Sequence, residues 1–269
     1  MIKLIAIDID GTLYNSQKEV SPANLKAVQK ALQAGIKIVL CTGRPTPAAI
    51  QATKTLGLYG HDNYLITYHG AVTSQLKDLS RTRSLPLYED QIKQLFDLAQ
   101  DQNIYAFSQK DTAIQALDDS APDLAKYEAE LVGLPIEVSS RQDLTQADKF
   151  MMLAPADKLD QVAQNLTPDL YNHYTILRSE PRFIEFIHKD SDKGRATAQL
   201  ADQLGIPMSE VMGIGDGGND LQLIDQAGFG VAMGNAVQDL KDKADYVTAS
   251  NDQDGLALSL IHISEPTRL

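Results

Sequence analysis

The sequence predicts an α/β protein: a parallel-sheet core interrupted by an inserted α+β domain. Three observations carry this. Strand and helix patterns alternate over roughly the first seventy residues, the same alternation returns after residue 190, and the stretch between them follows a different order. At 269 residues, the chain also exceeds what one compact core organises, and a division by about 150 residues per domain gives roughly two domains.

The elements follow in order. Ile2 to Asp8 is apolar and β-branched and reads as the first strand. Ser21-Pro22 then supplies an N-cap with proline at the first helical position, and Leu25, Val28 and Leu32 repeat at helical spacing. Gly35 sits where a left-handed terminating residue belongs, directly before the second strand, Ile36 to Leu40. A helix from about Ala48 to Leu56 leads to a third strand, Tyr64 to Thr67. Late in the chain, a helix from Ala196 to Leu204 precedes a strand from Val211 to Ile214. A short helix from Leu221 to Ala227 and a strand from Gly230 to Met233 follow.

Residues 1–82 and 190–257 therefore form one discontinuous core, and 83–189 an insertion. The insertion mixes helical patterns, Gln91 to Ala99 and Leu159 to Leu166, with short strands, Phe150 to Leu153 and Phe183 to Ile187. Residues 258–269 resemble translated sequencing-library adapter and are set aside as a non-native tail, so a last covering helix is expected to be missing.

Composition narrows the function. Apolar residues at 43% and charged residues at 22% are ordinary globular usage, and no window approaches the apolar length that spans a bilayer. Met1 leads straight into a strand too short for a signal-peptide core, so cytoplasmic residence is expected. The single Cys41 excludes an intrachain disulfide and a multi-cysteine zinc site. It ends an apolar strand with no identifiable base and reads as a small buried hydrophobe. Net charge is -12, from 24 basic and 36 acidic residues, with no basic run, which argues against nucleic acid as a partner. The five histidines show no metal-type spacing.

Four short segments carry chemistry. Asp8-Ile9-Asp10-Gly11-Thr12-Leu13 puts two carboxylates at the C-terminal end of the first strand, where open α/β sheets form ligand crevices. Residues two apart on a strand share a face, and two adjacent anions call for a cation or a proton; hard oxygen ligands favour magnesium. Gly215-Asp216-Gly217-Gly218-Asn219-Asp220 repeats the arrangement at a later strand end. Thr42-Gly43-Arg44 offers a hydroxyl, backbone N–H groups and a guanidinium, the fittings of a phosphate oxygen. Lys193 stands near a helix start, where a lysine opposes the macrodipole. Taken singly, each segment is also compatible with an ordinary turn, cap or solvated side chain.

In this order the four segments resemble the motifs of the haloacid dehalogenase superfamily of phosphohydrolases, over nearly the whole chain before the tail. Val231 to Ala236 and Thr248 to Asn251 resemble its Cof-type branch, whose large cap is inserted between the second and third motifs. The resemblance implies a Rossmann-like core with an α+β cap that closes over the substrate. It implies Asp8 as nucleophile, forming an aspartyl phosphate, and Asp10 as general acid and base. Mg2+ would be held by Asp8, the Asp10 carbonyl and Asp216, and the transferring oxygens by Thr42, Gly43 and Lys193. Asn219 and Asp220 would support this shell. Arg44 and His69 would lie near the substrate, His69 standing where relatives usually carry asparagine.

The implied activity is magnesium-dependent hydrolysis of small phosphorylated metabolites, either sugar phosphates or phosphorylated cofactors, with neither nucleic acid nor membrane as partner. The same intermediate would serve a phosphotransferase or mutase, and a non-catalytic phospho-ligand sensor is the third reading. Arg178, Arg182 and Glu185, near the return from cap to core, are candidates for cap contacts.

Overall fold

A computed structural model describes residues 1–264, with side chains through residue 261; the expectation for residues 265–269 falls outside it. In chain order the elements are β1 (Leu4–Asp8), α1 (Pro22–Gln33), β2 (Lys37–Cys41), α2 (Thr46–Thr55), β3 (Tyr64–Thr67), β4 (Val72–Gln75) and β5 (Arg81–Ser84). Next come β6 (Leu87–Tyr88), α3 (Glu89–Asp101), β7 (Tyr105–Gln109), β8 (Ile114–Ala116), α4 (Asp123–Val132), β9 (Ile136–Val138) and β10 (Gln146–Ala147). These are followed by β11 (Lys149–Leu153), α5 (Ala156–Asn165), α6 (Pro168–His173), β12 (Tyr174–Leu177) and β13 (Phe183–His188). The chain closes with α7 (Lys193–Gln203), β14 (Val211–Gly215), α8 (Leu221–Gln226), β15 (Phe229–Ala232), α9 (Gln238–Lys243), β16 (Tyr246–Val247) and α10 (Gly255–Ser264).

Two compact units result. One comprises Met1–Gly43, Ala49–Arg83 and the chain from Asp192 onward; the other comprises Arg44–Ala48 and Ser84–Ser191.

The first unit is built on an eight-stranded sheet in the order β16-β15-β14-β1-β2-β3-β4-β5. From β16 to β3 all neighbours are parallel, and β4 turns back antiparallel to β3. A parallel sheet must be covered on both faces, and alternation along β1 does this: Ile5 and Ile7 join one core with Val28, Leu40 and Met212, while Leu4 and Ala6 join another with Val39, Ala196 and Leu200. At α1 the predicted N-cap is in place, Ser21 Oγ accepting from the Asn24 amide at 3.1 Å. Strand order runs outward from β1 through β2 and β3, and from β14 the other way through β15 and β16, so the switch point lies between β1 and β14.

A last helix, expected to be missing, is present. α10 continues through Ser264, and Leu256 and Leu260 belong to the same core as Val28 of α1.

The second unit has a six-stranded sheet in the order β12-β13-β11-β7-β8-β9, beside the short pair β10-β6. One face packs on α3 and α5 through an aromatic chain: Phe96 to Phe150 to Phe186 to Tyr174, at centroid spacings of 4.7, 6.3 and 5.9 Å, all edge-on. Phe107, Met151 and Phe183 line the other face, against Ala125, Ala129 and Val132 of α4.

Candidate active site

β1 delivers Asp8 at its C-terminal end, and β14 delivers Asp216 just past its own, on either side of the switch point. Gly11 makes their approach possible. It has φ +80°, and a Cβ there would lie 2.2 Å from Asp216 Oδ2, so only glycine admits this turn and this neighbour.

Lys193, the first residue of α7, is fully buried and bridges two carboxylates: its Nζ lies 2.6 Å from Asp8 Oδ1 and 2.6 Å from Asp220 Oδ1. Two charge-assisted bonds offset both the desolvation of an ammonium and its unfavourable place at a helix N-terminus. The other Asp220 oxygen accepts from the Asp216 and Gly217 amides, at 3.0 Å each. Both Asp220 oxygens are therefore engaged in holding the loop and the lysine.

Asp8, Asp216 and Asp220 place one oxygen each within 4.8 Å of one another. Three carboxylates against one ammonium leave two negative charges uncompensated. Burial first, and then neighbouring carboxylates working against Lys193, hold the Asp8 carboxyl well above its ordinary range. Burial and Asp220 likewise push Asp216 up to about 6. For Lys193, burial acts downward, but Asp220 and Asp8 outweigh it and keep the ammonium charged. A donor set of carboxylate oxygens with this deficit fits a divalent cation.

Thr12 Oγ1 donates to Asp216 Oδ1 at 3.3 Å, and Asn235 Nδ2 donates both to the Gly11 carbonyl at 2.9 Å and to Asp216 Oδ2 at 3.1 Å. The sequence marks neither Thr12 nor Asn235 as a site residue: Thr12 stands there within the first acidic segment, and Asn235 within the branch-like segment Val231 to Ala236. Asp10 lies farther out, with its carboxylate 3.4 Å from Lys18 Nζ and its side chain outside the three-carboxylate group.

Thr42 follows Cys41, which pairs with Asp8 across β1 and β2. Its amide is already used, donating to the Ile66 carbonyl at 2.9 Å, so its buried hydroxyl is the donor this residue brings. Gly43 lies under the His69 ring; a Cβ there would stand 2.2 Å from the imidazole. His69 is buried at φ 53°, and its Nδ1 lies 3.3 Å from Asn219 Nδ2. Since the amide nitrogen donates, Nδ1 accepts and the ring proton sits on Nε2 in the neutral form.

The structure thus gathers Asp8, Lys193, Asp216 and Asp220 into one contact network, with Gly43, His69 and Asn219 in a second cluster. Arg44 falls in the other unit. Cys41 is buried, its Sγ is 3.7 Å from Thr197 Oγ1, and burial pushes the thiol up to about 12. It is no nucleophile at neutral pH.

The profile of the haloacid dehalogenase-like hydrolases matches residues 5–260. The chain belongs to this family. YxeH of Bacillus subtilis, named as a phosphatase, is 34% identical over 260 residues, covering 96% of both chains. YcsE of the same organism, a 5-amino-6-(5-phospho-D-ribitylamino)uracil phosphatase, is 31% identical over 262 residues, covering 97% of this chain and 95% of its own. The crystal structure of a haloacid dehalogenase-like hydrolase from Bacteroides thetaiotaomicron superposes with a TM-score of 0.87 at 31% identity, covering 98% of this chain and all of that one. This member of the hydrolase family is a phosphatase, and it carries an acidic cluster, Asp8, Asp216 and Asp220, whose oxygens are close enough together to hold a metal ion. Among its described residues no helix is long and apolar enough to cross a membrane.

Proposed function

We propose that this enzyme hydrolyses phosphate monoesters of small metabolites, sugar phosphates and phosphorylated cofactors, with Mg2+ and through an aspartyl phosphate on Asp8. The observation that carries the reading is the buried Asp8-Lys193-Asp220 bridge at the sheet's switch point beside Asp216. It orients one carboxylate, places a fixed cation beside it and leaves a deficit of two positive charges.

Lys193 engages Asp8 Oδ1, which leaves Oδ2 as the attacking atom. That oxygen bonds to phosphorus as the ester P–O bond breaks, and Asp10 gives its proton to the departing alkoxide. Asp10, now ionised, takes a proton from water; the resulting hydroxide bonds to phosphorus, the Asp8–phosphorus bond breaks, and inorganic phosphate and the free carboxylate are released. The Thr42 hydroxyl and the Lys193 ammonium hold the non-bridging oxygens through both transfers. Bound Mg2+, held by Asp8, Asp216 and the Asp10 carbonyl, would neutralise the charge between carboxylate and phosphate. Asp220 positions Lys193, and Asn219 positions His69 toward the substrate.

Phosphate release from p-nitrophenyl phosphate and a panel of sugar phosphates, with Mg2+ or EDTA, tests this. Turnover should require both the metal and Asp8, vanishing in Asp8→Asn. A folded wild type that releases phosphate from none of the panel refutes the reading.

A further inference from the structure

The turn that carries Asp10 is held from outside by a segment far away in the chain. Its own bonds close it: the Leu13 and Tyr14 amides donate to the Asp8 and Ile9 carbonyls at 3.2 and 2.9 Å, and Asp10 and Tyr14 pair as an isolated parallel bridge. From Tyr14 to Ser21, where α1 begins, every residue is half-buried or exposed. Such a stretch has few buried contacts of its own to fix it.

Three side chains beyond β16 anchor it. Asn251 Nδ2 donates to the Tyr14 carbonyl at 3.0 Å, Asp252 Oδ1 accepts from the Ser16 amide at 2.8 Å, and Asp254 Oδ1 accepts from the Ser21 hydroxyl at 2.5 Å. The anchors and their targets ascend together, so the two segments lie side by side. The Asn251 amide donates to Asn235 Oδ1 at 2.9 Å, which brings the Asn235 bond to the Gly11 carbonyl into the same row.

The anchoring segment is itself firmly placed. The Thr248 amide donates to the Ala232 carbonyl of β15 and the Gly234 amide to the Ala249 carbonyl, at 3.0 and 2.9 Å. The buried Thr248 hydroxyl donates to the Gly255 carbonyl at 2.8 Å, and a Cβ on Gly255 would lie 2.0 Å from the Ala249 carbonyl oxygen. Asp254 reaches Ser21 from a left-handed backbone, φ 58°, which aspartate enters more readily than most residues.

The side-chain ion pair of Asp10 with Lys18, at 3.4 Å and exposed on both sides, does little to fix geometry. Whatever else its carboxyl bonds, its Cα follows the turn. Proton transfer demands hydrogen-bond reach, so a small displacement of that turn is costly.

We propose that Asn251 and Asp252 are positioning residues for Asp10: they clamp the turn after β1 so that its carboxyl stays within reach of the leaving oxygen. This rests on the phosphatase reading above and ties the clamp to one step of it, proton delivery to the departing alkoxide.

The test compares kcat/KM, which reports the steps up to formation of the aspartyl phosphate, for a sugar phosphate and for p-nitrophenyl phosphate at saturating Mg2+. A sugar alkoxide needs a proton to leave, whereas p-nitrophenolate departs with little help. The variants are Asn251→Ala, Asp252→Ala and Asp252→Asn, with Asp10→Asn as reference. Asn24→Ala is the control, because Asn24 Oδ1 accepts from the Ala257 amide at 2.9 Å and ties the same C-terminal region to α1 without touching the turn. Asn251→Ala should lower the ratio of sugar phosphate to p-nitrophenyl phosphate about tenfold, in the same direction as Asp10→Asn. Asp252→Ala should lower it less, and Asp252→Asn, which keeps an oxygen to accept from Ser16, should restore it. The control should leave the ratio in place.

An unchanged ratio in Asn251→Ala, or equal losses on both substrates, overturns the clamp while phosphate release and the Asp10 assignment stand. A ratio lowered as much by Asn24→Ala overturns it too, since general loosening would then suffice. If Asn251→Ala does not fold, the Asp252 pair decides, and equal ratios in its two variants overturn the proposal. A ratio unmoved by Asp10→Asn removes Asp10 as the acid and the clamp with it, and no release from any substrate by wild type brings down the phosphatase reading itself.

Discussion

The two units bury charge in opposite ways. At the core switch point one ammonium faces three carboxylates. In the second unit the buried pair in direct contact is one for one, Lys149 with Glu185, and burial holds the carboxyl of the neighbouring Glu128 above its ordinary range. A balanced buried pair can be complete in itself, whereas an unbalanced cluster is held only at the cost of shifted proton equilibria and calls for a counter-ion. The imbalance therefore marks where a cation belongs, and the balanced pair marks where geometry alone is fixed.

The largest expected contrast is catalytic. Asp8→Asn keeps the shape of the core cluster but removes the carboxylate proposed to attack phosphorus, and phosphate release should fall on the order of 10^4-fold or more. It also removes a carboxyl whose ionisation burial opposes, so the metal-free variant should unfold no more readily than wild type. An active Asp8→Asn enzyme would break the assignment of the nucleophile.

Stability comes next. Lys193→Met strands buried carboxylates and should cost about 3–5 kcal/mol in urea unfolding, and Lys149→Met should cost a comparable amount. The second substitutions separate the clusters. Adding Glu185→Leu to Lys149→Met should restore much of the loss, because the partner charge goes with it and the other group bonded to Glu185 is a rotatable, part-buried hydroxyl, that of Ser179. Adding Asp220→Leu to Lys193→Met should not, because Asp220 also holds the Asp216 and Gly217 amides. Equal rescue in both double-mutant cycles would erase the distinction drawn between the two regions.

A third effect is pH-dependent. Asp216 titrates at about 6 in the fold against an ordinary 3.8, because of burial and then Asp220. The folded state thus holds this proton more tightly than the unfolded chain does. The resulting stability is fully present below 3.8 and is lost as pH rises through 6, roughly 3 kcal/mol at 1.36 kcal/mol per unit. Metal-free protein should accordingly gain stability from this group on acidification from pH 7 to 5. Added Mg2+, competing with the same protons, should raise Tm by more at pH 8 than at pH 5. A Tm shift independent of pH would detach the cation from these carboxylates.

Much of the core was legible because its chemistry is written in contiguous strings at strand ends. Asp8-Ile9-Asp10-Gly11 and Gly215-Asp216-Gly217 each combine a strand terminus, a carboxylate and a turn residue, so fold and chemistry announce one another locally. The cap was opaque for the converse reason. Lys149 and Glu185 are far apart in sequence and meet only through the register of β11 on β13, which no local pattern specifies. β4 and β5 were missed because Thr73, Ser74 and Arg81 to Ser84 lack an apolar alternation. α4 hides behind Glu128, a charged residue on its buried face. The left-handed backbone at Tyr68 and His69 is likewise imposed by tertiary contacts, His69 N–H donating to the Thr42 carbonyl at 3.0 Å.

The smallest expected effect tests how far the core cluster depends on its surroundings. Asn235 is exposed, yet its amide ties the Gly11 carbonyl to Asp216 Oδ2, and its oxygen accepts from the Asn251 amide at 2.9 Å. At an exposed site such hydrogen bonds contribute about 1 kcal/mol, so Asn235→Ala should barely move the unfolding midpoint. Its consequence should instead appear in metal binding. Without that tie the Asp216 carboxylate retains, among the described residues, the longer bond from Thr12 at 3.3 Å, and it gains freedom that a cation must remove on binding. The Mg2+ concentration for half-maximal activity should rise about tenfold or more, with kcat at saturating metal nearly intact. A fall in kcat at unchanged Mg2+ affinity would mean that Asn235 acts through the Gly11 turn, and hence on Asp10, rather than through Asp216.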